Sequence, residues 1–74
     1  MHVLVVDDER RMVELIASYL GEHEVVCSAA FDGPSGLEAA RSPDVDAVVL
    51  DLMLPGMSGT EVCTRLRREG NDVP

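Results

Sequence analysis

Val3-Leu4-Val5-Val6-Asp7-Asp8-Glu9 opens the chain and decides how the rest is read. Four consecutive apolar residues, mostly β-branched, are what a strand buried on both faces carries; a strand with one wet face would alternate. Acidic residues follow at once and favour the first turn of a helix. The same order recurs twice. From Glu9 to Leu20, apolar Met12, Leu15, Ile16, Tyr19 and Leu20 fall at helical spacing, and Gly21 is expected to cap the helix. Val25-Val26-Cys27 with Ala29-Ala30 makes a weaker second strand. Asp32-Gly33-Pro34 opens a second helix, which carries Leu37 and Ala40 and stops near Ser42-Pro43. Ala47-Val48-Val49-Leu50 is the clearest strand and ends in Asp51-Leu52. A turn-rich loop with Pro55-Gly56 and Ser58-Gly59 leads to a helix marked by the capping-box pair Ser58 and Glu61. That helix is expected to bury Val62, Cys63 and Leu66 and to turn Arg65, Arg67 and Arg68 outward. Strands alternating with helices predict an α/β chain built on a doubly wound parallel sheet.

Bulk composition narrows the function classes. At 74 residues the chain is one small domain, which buries only about 60% of its unfolded surface and gains from a metal, a partner or more chain. A net charge of −8, with six basic residues that are all Arg, would repel a nucleic-acid backbone and suits a cation or a basic protein surface. No apolar run is long enough to span a membrane, and Met1-His2 leads straight into a strand without a signal-peptide pattern. Cys27 and Cys63 stand alone, away from metal-ligand spacing, and read as reduced, semi-buried thiols of a cytoplasmic protein.

The chemistry is expected at the carboxyl ends of the first and third strands. Ligands of open α/β sheets bind where strand order reverses. With strand order 2-1-3 and right-handed crossovers, the first helix covers one face and the next two the other. Asp7, Asp8 and Asp51 then converge in the crevice. Like charges so close need a counter-charge. A hard divalent cation such as Mg²⁺ supplies it and also pairs with phosphate oxygens. A carboxylate beside such a metal can attack phosphorus and give an aspartyl phosphate. Each residue also has an ordinary reading: Asp7-Asp8-Glu9 as a solvated helix start, Pro55, Gly56 and Gly59 as turn residues. Spacing leaves open which carboxylate is the nucleophile.

Taken together, the first motif, the run from Val48 to Gly59 and the helices between them resemble the receiver domain of two-component response regulators. The likeness is greatest to regulators that carry a winged-helix DNA-binding domain. It covers the chain from end to end and implies the flavodoxin-like sheet, whose strand order begins 2-1-3. By position it makes Asp51 the phosphoacceptor, Asp8 a direct Mg²⁺ ligand and Asp7 a ligand through water. Met53 would offer its backbone carbonyl to the metal, and Pro55 and Gly59 would shape the loop. A sensor histidine kinase is the implied phosphoryl donor.

The family pattern also contains a fourth and a fifth βα unit, with a Thr or Ser and a Lys beside the phosphate. None of these has a counterpart in residues 1–74, which contain no Lys. The chain therefore reads as a partial receiver domain. Its third strand is expected to present an unpaired edge and its helices an uncovered apolar surface, so self-association is expected. Two functions follow: a phospho-accepting regulatory module, or a fragment that only binds metal or self-associates. A phosphohydrolase working through the same aspartate would place a second Asp at the position of Met53, and that reading is set aside.

Overall fold

The computed structural model describes all residues from Met1 to Pro74. Strands and helices alternate as β1 (His2–Val6), α1 (Arg10–Glu22), β2 (Val26–Ala30), α2 (Gly33–Ala40), β3 (Ala47–Leu50) and α3 (Gly59–Arg68). The sheet is parallel with order β2-β1-β3. Both the doubly wound α/β class and the strand order agree with expectation.

Central β1 explains its own sequence. Leu4 and Val6 face one layer, where they meet Leu37 and Ala40 of α2 and Val62 and Leu66 of α3. Val3 and Val5 face the other, against Val13 of α1. With helices on both faces, neither parity of the strand can be polar. Leu4, Val5 and Val6 are fully buried.

Helix α1 carries two apolar stripes and ends beyond the glycine expected to cap it. Its buried seam runs through Val13, with Ile16 and Leu20 packed beside it. Met12, Leu15 and Tyr19 form a second apolar stripe that is exposed. The helix also runs past Gly21 to Glu22, and Glu24 takes the left-handed turn at φ 61°. The Glu24 amide donates to Gly21 O at 3.1 Å and the Val25 amide to Leu20 O at 3.0 Å. Those two bonds form a Schellman motif, which consumes the last helical carbonyls whether or not the left-handed residue is glycine.

The other two helix starts follow their caps. Asp32 accepts from the Ser35 amide at 2.7 Å and opens α2. Ser58 accepts from the Glu61 amide at 3.2 Å and opens α3. Only this half of the capping box forms, because the Glu61 carboxylate turns along the helix to Arg65 Nε at 3.3 Å. Cys63 is half-buried rather than core, whereas Val62 and Leu66 are buried.

After α3 the chain is strapped back across α2. Arg41 at the end of α2 donates two bonds to Glu69, at 2.9 and 2.6 Å. Asn71 Nδ2 donates to the Ala40 carbonyl at 3.1 Å, and Arg67 donates to the carbonyls of Asn71 and Val73. The Val48 amide donates to the Pro74 carbonyl at 2.9 Å. The outer edge of β3 is thus paired at one point, where a wholly unpaired edge was expected. Beyond that point an open groove of about 620 Å³ runs beside Leu50, Leu52 and Cys63. Leu52 and Met53 are exposed.

Candidate metal centre

The register fixes the site. Val6 pairs with Leu50, so Asp7 and Asp51 follow as neighbours at the ends of β1 and β3. The Asp51 amide donates to the Val6 carbonyl at 3.0 Å, and the Asp7 amide donates to the Ala30 carbonyl at 3.1 Å. Both backbones are therefore held by the ladder beyond the last strand residues.

Two of the three carboxylates are oriented by the turns that follow them. Asp7 Oδ1 accepts from the Glu9 amide at 2.9 Å, and Asp51 Oδ1 accepts from the Met53 amide at 3.2 Å. Asp8 is exposed. One carboxylate oxygen from each of Asp7, Asp8 and Asp51 lies within 4.8 Å of the others. The convergence expected from the strand order is present.

No cation of the protein neutralises this cluster. The ion pairs join Arg41 to Glu38 and Glu69, and Arg65 to Glu61. Arg10 is near in sequence, but its guanidinium lies over the Phe31 ring at 4.1 Å. Three oxygen donors with no protein counter-charge fit a hard divalent ion, which takes carboxylates and keeps part of its water shell.

The loop after Asp51 is shaped by close backbone packing. Gly59 donates its amide to the Leu52 carbonyl at 2.9 Å. A Cβ at Gly59 would lie 2.0 Å from the Asp51 carbonyl oxygen, so only glycine lets α3 begin against the strand end. Pro55 accepts from the Gly33 amide at 3.1 Å. Sequence reasoning singled out Pro55 and Gly59 but took Gly33 only as part of a helix start. Its glycine signal was visible; its partner across the fold was not.

The family model described as the response regulator receiver domain matches residues 3–74. The chain belongs to that family. This receiver domain is 46% identical over 69 residues to the transcriptional regulatory protein TcrA of Mycobacterium tuberculosis, a match covering 93% of the chain and 27% of TcrA. Among solved structures it is similar to the receiver domain of the Francisella response regulator 1452, with TM-score 0.93, 29% identity and coverage of 99% and 60% of the two chains. It is also similar to the response regulator TrrA of Thermotoga maritima in complex with Mg²⁺-BeF. There the TM-score is 0.87, the identity 37% and the coverage 96% and 62%. TrrA has also been solved in complex with the histidine kinase ThkA. The chain thus spans about a quarter of TcrA and three-fifths of those receiver chains. As a receiver domain it is a regulatory module, and none of its helices is long and apolar enough to cross a membrane.

Proposed function

We propose that this receiver domain accepts a phosphoryl group on Asp51 with Mg²⁺ bound beside it. The observation that carries the reading is the meeting of Asp7, Asp8 and Asp51 oxygens within 4.8 Å at the sheet's carboxyl end. Asp8 binds the metal directly, Asp7 supports it through water, and Asp51 and the Met53 carbonyl complete the donor set. When bound, Mg²⁺ supplies positive charge to the oxygens of the transferring group. The protein's own part is positioning. The Met53 amide holds one Asp51 oxygen, leaving the other carboxylate oxygen to attack phosphorus as the donor's bond to phosphorus breaks. The product is an aspartyl phosphate. Pro55 and Gly59 keep the loop close to the strand end.

The donor is a sensor histidine kinase, a reading supported by likeness to TrrA, whose partner is ThkA. The setting is the cytoplasm, as a regulatory part of a winged-helix transcriptional regulator. This segment itself makes no contact with nucleic acid, in keeping with its net charge of −8. Intact-mass measurement after incubation with Mg²⁺ and a small-molecule phosphodonor tests the reading, with Asp51→Asn as control. A phosphoryl increment lost in the mutant supports it; a folded sample with no increment overturns it for these 74 residues.

A second reading has its own support. An open groove runs beside Leu50, Leu52 and Cys63. On that reading the 74 residues bind metal or self-associate without holding phosphate. Light scattering decides the association, since a compact monomer at high concentration would remove it.

A further inference from the structure

The metal centre is built by β1 and β3, yet the loop that follows Asp51 rests on a third element. Gly33, the first residue of α2, donates its amide to the Pro55 carbonyl at 3.1 Å. A Cβ on Gly33 would lie 2.2 Å from the Met57 carbonyl oxygen and 2.6 Å from Met57 Cβ. Both are atoms that no rotamer change can withdraw. One residue further on, the Pro34 ring stands 3.1 Å from where a Cβ of Gly56 would be. The loop therefore lies flat on the start of α2 through Pro55, Gly56 and Met57.

The start of α2 is in turn fixed to the core. Asp32 accepts from the Ser35 amide and hydroxyl, at 2.7 and 3.1 Å. Gly36 and Leu37 are buried behind it. The loop itself buries little near the metal centre, because Leu52 and Met53 are exposed. Its path is set at the near end by the Gly59 amide on the Leu52 carbonyl, by Leu54 and Met57 against the core, and at the far end by the first turn of α2.

We propose that Gly33 is a positioning residue for the metal and phosphoryl site: it holds the β3–α3 loop, and through it Met53 and the Asp51 carboxylate, in ligand geometry. This rests on the metal reading above. Groups that orient the ligands of a metal site typically govern its affinity by about 10- to 100-fold. Gly33→Ala forces the loop away from α2 while leaving the strand ladder intact, so Mg²⁺ affinity falls by about tenfold or more.

The test is a calorimetric Mg²⁺ titration of the wild-type chain, Gly33→Ala and Ala40→Gly. The last loosens the same helix at its far end without touching the loop. Weaker Mg²⁺ binding in Gly33→Ala with wild-type binding in Ala40→Gly supports the proposal. Equal losses in both, or no loss in Gly33→Ala, overturn it. Should Gly33→Ala fail to fold, amide resonances of the wild-type chain decide. Mg²⁺ must then move the Gly33 amide together with those of Asp51 and Met53. A silent Gly33 beside a responding Asp51 overturns the positioning role alone. No response at Asp8 or Asp51 removes the metal reading, and this inference with it.

Discussion

Replacing Asp8 by Asn is expected to stabilise the metal-free protein and to abolish its stabilisation by Mg²⁺. Asp8 is exposed, so water sets the dielectric around it. Two like charges 4.8 Å apart repel there by about 0.9 kcal/mol, and salt near 0.1 M removes roughly 40% of that. The repulsion between Asp7 and Asp8 largely persists in the unfolded chain, where they remain adjacent. The repulsion between Asp8 and Asp51 exists only in the folded state. Asp8→Asn therefore gains roughly 0.5–1 kcal/mol, which for a domain of this size raises Tm by about 2–8 °C. In the wild type, Mg²⁺ at a hundred times its Kd adds about 2.7 kcal/mol, an increment that the mutant, lacking a ligand, largely loses. Thermal melts followed by circular dichroism, in EDTA and in Mg²⁺, at low and high salt, read both effects. A mutant that melts at or below the wild type in EDTA would refute the electrostatic argument. A mutant that keeps the full Mg²⁺ increment would refute the role of Asp8 as a ligand.

Other expectations are independent of the metal. Glu24→Gly relieves a left-handed residue at φ 61°, and after the entropy that glycine loses on folding it stabilises by about 0.5–1 kcal/mol, read by urea denaturation. Gly59→Ala places a methyl group 2.0 Å from a backbone oxygen and destabilises by about 2–3 kcal/mol in the same assay. The Arg41 guanidinium holds Glu69 below its ordinary value of 4.5. A lowered carboxylate stabilises the fold above its unfolded value and loses that contribution as pH falls through the folded one. Below pH 4.5 the wild type should accordingly lose stability more steeply than Glu69→Gln, as equilibrium denaturation across that range will show.

What the sequence disclosed depended on whether the controlling interaction was local. Strand β1 was legible because a strand covered on both sides is apolar along its buried length, and β3 because its unbroken apolar run stops at Asp51 and a turn-rich loop, although Val49 is left exposed. The starts of α2 and α3 were legible because Asp32 and Ser58 cap amides only three residues away. The end of α1 was not, because a hydrogen-bond pattern closing on Glu24 overrode the glycine signal at Gly21. The buried seam of α1 was not legible either. Two apolar stripes share that helix, and only the sheet determines that Val13 lies inside while Leu15 lies outside. At the site, the meeting of the three aspartates followed from strand order, which the family resemblance supplied. The contact of Gly33 with Pro55 and Met57 joins residues more than twenty apart in a way that no periodicity encodes.

The burial of β1 has a bearing on motion. Asp7 and Asp8 hang from a strand whose last three residues are fully enclosed, whereas Asp51 hangs from β3, where Val49 is 46% exposed. Local opening favours segments with few buried contacts, so amide hydrogens of β3 should exchange faster than those of β1. The site is then half anchored and half compliant. A fluctuation that frees β3 carries Asp51 away from a stationary Asp7–Asp8 pair, and any ion bridging the two strands slows the exchange of both.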